Sequence, residues 1–240
     1  MITIILSHPQ MGENIGGAAR AMMNFGLCNL RLVHPRDGWP NERADAMAAG
    51  AFERMPPVEV FDTLEEAIAD LHFVFATTAR ARHMVKPVFT PEKAAREGYG
   101  RMQKGQNIGI VFGAERTGML NDEITHTQAL ITIPTDPDFS SLNLGQSVLL
   151  LAYEWIKASQ EGKTTEESSE HIPAPQKDIN MFINRLNEDL EARHFFRAAG
   201  LKSTLQRNLR NIFSRADISE QELRTLHGVL SALRGNKGQK

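Results

Sequence analysis

The chain has 240 residues, enough for one sizeable core with or without a small appendage. Hydrophobic residues make up 41% and charged residues 23%, and no apolar run approaches the roughly 20 residues of a membrane helix, so a helical membrane span is excluded. The formal net charge is −2 and the single cysteine, Cys28, excludes an internal disulfide and a cysteine-based zinc site.

The opening M-I-T-I-I-L-S-H-P lacks a basic region followed by a long apolar core, so it is expected to be a buried strand rather than a signal peptide, and the protein to be cytoplasmic. Further strands are expected at 29–33, 72–77, 107–112 and 129–133, each a short β-branched run. Helical patterns separate them. Thr63 followed by Glu66 forms a capping box ahead of Ala67 and Ile68. Apolar strands alternating with helices predict an α/β fold with a mostly parallel sheet. The segment 141–157 is apolar nearly all round and predicts a largely buried helix that closes a first domain over 1–160. A polar linker over 161–175 ends in two prolines.

Residues 176–240 form a small helical domain, with apolar stripes at Ile179, Phe182, Ile183, Leu186 and Leu190, then at Leu205, Leu209, Ile212 and Phe213. A last helix begins at the Ser219–Glu222 capping box. This tail carries twelve Lys and Arg against seven Asp and Glu, so a basic appendage sits on an acidic body, which suggests an anionic partner, nucleic acid first. Arg207 and Arg210 fall off the apolar stripe and are candidate phosphate contacts; plain solvated arginines are the alternative.

Three stretches hold residues that a core does not require. In N-I-G-G-A-A-R-A-M-M-N-F-G, Asn14 is placed to cap a helix from Ile15, Gly16 and Gly17 permit a close approach, and Arg20 stands one turn above them. In V-F-G-A-E-R-T-G, Gly113 and Gly118 bracket Glu115 and Arg116; the third stretch is I-P-T-D-P-D-F-S-S-L-N-L-G, from Ile133 to Gly145. All three follow strands, where ligands bind in open α/β sheets. No G-x-x-x-x-G-K-[ST] or G-x-G-x-x-G accompanies them, which disfavours a nucleotide triphosphatase or a dinucleotide oxidoreductase. The scattered histidines show no metal-ligand spacing, so no metal is expected.

Taken in order, the motifs N-I-G-x-x-A-R-A-x-x-N-F-G, V-F-G-x-E-x-x-G and I-P…S-S-L-N-L resemble those of the SpoU class of the SPOUT superfamily, RNA ribose 2′-O-methyltransferases that use S-adenosylmethionine. With the short helical tail they look most similar to the TrmJ-type branch, which methylates cytidine or uridine 32 of the tRNA anticodon loop. The resemblance implies a deep C-terminal trefoil knot, a topology that rules for ordinary connections exclude. It implies a cofactor site made by Thr77, Thr78, Ala79, Gly113, Gly118, Ile133, Ser140, Ser141 and Leu142. It also implies a homodimer in which Arg20 of one subunit approaches the site of the other, with Asn14, Glu115, Ser141 and Asn143 as the remaining catalytic set. Because an arginine resists deprotonation, Arg20 is expected to stabilise a developing alkoxide and hold a phosphate rather than to act as the base. Arg80, Arg82, His83 and Lys86, beside the expected cofactor loop, and the loop 41–45 are further candidates for RNA contact. A ribosomal RNA target, another tRNA position and a non-catalytic RNA-binding protein are the competing readings.

Overall fold

A computed structural model describes residues 1–78, 85–161, 172–196 and 201–234. Seven parallel strands form one sheet in the order β3-β2-β1-β6-β4-β7-β5. Its centre is β1 (Ile2–Ser7), β6 (Ile108–Phe112), β4 (Phe73–Thr77) and β7 (Ala129–Ile131), flanked by β2 (Leu30–Val33) and by the edge strands β3 (Glu59–Phe61) and β5 (Val88–Phe89). Ile4 pairs with Leu30 on one side and Ile110 on the other, and Phe75 with Ile110 and Ala129.

Side chains alternate across the sheet, so β1 feeds two cores: Ile4 and Leu6 pack with Ile15, Ala94, Val148 and Leu151, while Ile5 packs with Leu64, Ile68 and Ile124. Helices therefore cover both faces, and every residue of β1 and β6 is buried. On the first face lie α1 (Gly12–Asn24), α2 (Glu42–Ala48), α4 (Pro91–Gln103) and α6 (Leu144–Glu161); α3 (Leu64–Ala67) and α5 (Asn121–Thr125) cover the other. The capping box ahead of α3 forms as expected, Thr63 Oγ1 accepting from Glu66 N and Glu66 Oε2 from Thr63 N, both at 3.3 Å.

The five expected strands are present, and β3 and β5 are additional. The helix from the first glycine motif begins at Gly12 rather than Ile15, so Asn14 lies inside its first turn and is not its cap. A cap does appear at Asn41, whose Oδ1 accepts from Arg43 N and Ala44 N and starts α2; residues 41–45 are thus a helix entrance rather than the expected loop. Gly12 and Gly16 serve this packing, since a Cβ at Gly12 would stand 2.1 Å from Asn41 Oδ1 and one at Gly16 2.2 Å from the Ala44 carbonyl. The close approach is of helix to helix. Helix α6 is buried on one side only: Val148, Leu151 and Trp155 face the core, whereas Leu149, Leu150 and Tyr153 are 39%, 39% and 47% exposed.

The helical tail comprises α7 (Gln176–Ala192), α8 (Lys202–Arg215) and α9 (Glu220–Arg234) around Ile179, Phe182, Ile183, Leu223 and Leu230, with Phe182 edge-on to Phe213 at 4.9 Å. It touches the sheet domain directly, Gln176 N donating to the Leu71 carbonyl at 3.0 Å and Lys177 N to the Ala69 carbonyl at 3.1 Å; of the expected linker, residues 162–171 lie outside the described residues. Arg101 lies over the Phe73 ring at 3.9 Å and reaches Asp217 with hydrogen bonds of 2.9 and 3.0 Å, tying α4 to the tail.

Candidate active site

A cavity of about 220 Å³ opens where three adjacent strands, β6, β4 and β7, end. Its walls are the loops that follow them, which is where an open parallel sheet offers backbone groups to a ligand. Thr77, Thr78, Gly113, Gly118, Ile133, Ser140, Ser141 and Leu142, the residues that the family resemblance implies for the cofactor, all line it, and so does Glu115. Ala79 lies outside the described residues. Also lining it, and not singled out from the sequence, are Met119, Thr135 and Ser147; Thr135 stands within the quoted third motif, but nothing local marks it as inward-facing.

The Gly113–Gly118 loop folds back on itself, with Gly118 N donating to the Ala114 carbonyl at 2.7 Å and Gly118 at a φ of +65°. Gly113 is obligatory here, because an added Cβ would meet Gly118 C and Met119 N at 2.3 Å. This turn aims Glu115 at α1. One carboxylate oxygen accepts from Gln10 N at 2.8 Å and the other from Asn14 Nδ2 at 2.7 Å. Asn14 Oδ1 in turn accepts from Asn143 Nδ2 at 2.8 Å, and Asn143 Oδ1 accepts from Gly145 N at 2.9 Å at the start of α6.

The directions of these bonds are forced. A backbone N–H can only donate, so the Asn143 oxygen must face α6 and its amide nitrogen must face Asn14, which leaves the Asn14 nitrogen to meet the acceptor-only Glu115. Four of the five expected catalytic residues are thereby gathered: Glu115, Asn14 and Asn143 as one chain, and Ser141 on the cavity wall. Arg20 is not among them. It lies six residues beyond Asn14 on α1, roughly 120° around the helix, and is exposed and without a hydrogen bond or ion pair among the described residues.

The expected RNA contacts fare differently. Lys86 is buried and its Nζ donates to the Thr127 carbonyl, so it cannot reach a phosphate as placed; burial, with Arg215 adding to it, pushes its pKa down to about 7. Arg210 is half-buried and spent on Asn180 Oδ1 at 2.6 Å and His126 Nδ1 at 3.3 Å. His126 is held neutral, its pKa near 3, by burial first and then by Arg210 and Lys86. Arg207 faces Asp122 at 3.3 Å. Arg207 and Arg210, through Asp122 and His126, tie α8 to the sheet domain, helped by the buried bond from Ser214 Oγ to the Thr125 carbonyl. Arg80, Arg82 and His83 lie outside the described residues. Among the described residues no cluster of His, Cys, Asp and Glu can hold a metal ion, and no helix is long and apolar enough to cross a membrane.

The mixture on the cavity walls suits a nucleoside thioether: Ile133, Leu142 and Met119 offer apolar surface, and Thr78, Ser140 and Ser141 offer hydroxyls and backbone groups. Comparison with known proteins agrees. The profile of the SpoU rRNA Methylase family matches residues 1–153. A tRNA (cytidine/uridine-2′-O-)-methyltransferase, TrmJ, of Klebsiella pneumoniae is 34% identical over 99% of this chain and 98% of its own, and TrmJ of Escherichia coli K12 is 34% identical over 100% and 98%. The crystal structure of TrmJ from Z. mobilis ZM4 superposes with a TM-score of 0.87 at 44% identity, covering 98% of this chain and 99% of that one. A probable methylase family protein from Haemophilus influenzae is similar at 32% identity, 97% and 95% coverage and a TM-score of 0.62. With a profile that spans well over half of its length and full-length relatives above 30% identity, the chain belongs to the SpoU methylase family.

Proposed function

We propose that this protein transfers the methyl group of S-adenosylmethionine to the ribose 2′-hydroxyl of a cytidine or uridine in tRNA, at nucleotide 32 of the anticodon loop, and does so in the cytoplasm. The observation that carries the reading is the hydrogen-bonded chain Asn143–Asn14–Glu115 on the rim of a cavity with mixed walls, in a chain matched end to end by tRNA ribose methyltransferases. Thr77, Thr78, Gly113, Ile133, Ser140, Ser141 and Leu142, which line the cavity, would hold the cofactor, which would supply an electrophilic sulfonium methyl. Transfer to an oxygen then depends mainly on alignment.

Asn14, whose amide is fixed at both ends, and Ser141 orient the ribose hydroxyl. Glu115, held by Gln10 N and Asn14, keeps this rim in register with the loop that walls the cofactor. Arg20 completes the site from a second subunit, where its permanently charged guanidinium stabilises the developing alkoxide and holds the neighbouring phosphate, while a phosphate oxygen, a water or a polar side chain accepts the hydroxyl proton. Two features support the homodimer: Arg20 is exposed and does not line its own cavity, and α6 leaves Leu149, Leu150 and Tyr153 exposed on the sheet domain. The trefoil knot expected of the family belongs to the same reading, the cavity being built by loops after three neighbouring strands.

The test is methyl transfer from labelled S-adenosylmethionine to unmodified tRNA, beside the same tRNA carrying a 2′-deoxyribose at nucleotide 32. Label in the first alone is expected. Label in both would move the target nucleotide, and label in neither would remove the tRNA reading.

A further inference from the structure

Two of the basic residues that sequence offered to RNA are tied up inside the fold, Lys86 by burial and Arg210 by its bond to Asn180, while Arg80, Arg82 and His83 lie outside the described residues. A polyanion whose ribose enters the site also calls for donors within reach of the Asn14–Glu115 rim. Two loops at the carboxyl ends of β1 and β2 fit. They are zipped together: His8 N donates to the Val33 carbonyl at 2.8 Å and Arg36 N to the Pro9 carbonyl at 3.0 Å. The rings of His8 and His34 meet edge to face at 5.6 Å.

Both histidines sit in left-handed backbone, at φ +51° and +44°, a conformation that costs energy for a residue with a Cβ and persists only where surrounding structure enforces it. Strain of this sort at two adjacent strand ends sets side chains in chosen directions. His34 is exposed, His8 is 44% exposed with Nε2 3.8 Å from Glu123 Oε1, and Arg36 is 58% exposed against Asp37 at 2.9 Å. The patch is continuous with the catalytic rim, because Gln10, two residues beyond His8, donates its N–H to Glu115.

We propose that the joined loops 7–10 and 34–38 form a phosphate-binding surface for the substrate RNA, with the imidazoles of His8 and His34 and the guanidinium of Arg36 as its donors. It rests on the tRNA reading given above. An imidazole always offers at least one N–H, and the guanidinium fork matches a phosphate; Asp37 holds the Arg36 guanidinium in place while the RNA is absent. Contacts to backbone phosphate position the substrate without reading its sequence, which suits a surface beside the ribose to be methylated.

The experiment compares tRNA binding by the full chain and by Arg36→Gln, His34→Asn and the combined His8→Asn/His34→Asn variant across a salt series. Asparagine is chosen because it tolerates left-handed backbone. S-adenosylmethionine affinity and circular dichroism serve as controls for an intact site and fold. Arg36→Gln is expected to weaken tRNA binding several-fold and to reduce the salt slope by about 1, and the double histidine variant to weaken it about tenfold, with cofactor affinity unchanged. Should all variants bind tRNA like the parent at every salt concentration while the parent still methylates tRNA, the phosphate surface is wrong and the proposed function stands. A parent that binds cofactor but no tRNA overturns both.

Discussion

Asn143 donates through Nδ2 to Asn14 Oδ1 at 2.8 Å, joining residues 129 positions apart in the chain and fixing which way both amides point. Because the far end of this chain is the Glu115 carboxylate, Asn14→Asp puts two carboxylates face to face and removes the only donor between them. Asn14→Asp is expected to lower the single-turnover rate by on the order of 10²-fold or more, and Asn14→Ala by less, since alanine leaves lone pairs unmet but adds no repulsion. Cofactor affinity should move less than the rate in both. Equal losses for Asp and Ala would show that the amide's direction is irrelevant.

Gly113 offers a second test, on the cofactor side. A methyl at this position collides with backbone atoms of Gly118 and Met119 at 2.3 Å, and backbone cannot swing aside as a side-chain tip can. Gly113→Ala should therefore open the 113–118 turn, weaken S-adenosylmethionine binding at least tenfold by calorimetry, and displace Glu115 from Asn14. Gly17→Ala is the control, because its Cβ would meet nothing closer than Met47 Cγ at 4.0 Å. Normal cofactor affinity in Gly113→Ala would refute this account of the turn.

Sequence made the central strands legible because a doubly covered parallel strand is apolar on both faces, as β1 and β6 are. It missed β3 and β5 because two or three half-exposed residues at an edge form no such run. Two walls of the cavity were legible as the second and third motifs at strand ends, whereas Thr77 and Thr78 came only with the family resemblance. Asn14 was legible as important but not for its reason: local rules favour asparagine as a cap, and its real partners, Glu115 and Asn143, lie more than 100 residues away. Lys86 and Arg210 failed for the same cause in reverse, since charge is visible in a sequence and burial against a docked helix is not.

Lys86 has a consequence for stability. Burial lowers its pKa to about 7, against about 10.4 for an unfolded lysine, so between these values the unfolded chain binds more protons than the folded one. Stability from this group therefore rises with pH across that window, at up to about 1.4 kcal/mol per unit. Urea unfolding of the parent and of Lys86→Met at pH 6.5, 8 and 9.5 isolates it, methionine keeping the buried stem. The parent should gain on the variant as pH rises. Parallel curves would mean that the amine titrates alike in both states.

The last prediction concerns the second subunit. Leu149, Leu150 and Tyr153 share one exposed face of α6, with Phe25 edge-on to Tyr153 at 5.8 Å, and Leu150→Glu should split a dimer that uses this face, as sedimentation would report. A monomer produced this way should lose methyl transfer, because its own Arg20 lies off its own cavity. Complementation makes the argument sharper. Arg20→Ala and Asn14→Asp chains are each expected to be nearly inactive, yet a mixed dimer has one site with an intact Asn14 from one subunit and an intact Arg20 from the other. After unfolding together and refolding at equal amounts, half of the dimers are mixed and each holds one good site of two, so about a quarter of parental activity should return. Activity that stays at the level of the separate variants would place Arg20 in its own subunit's chemistry or outside the reaction altogether.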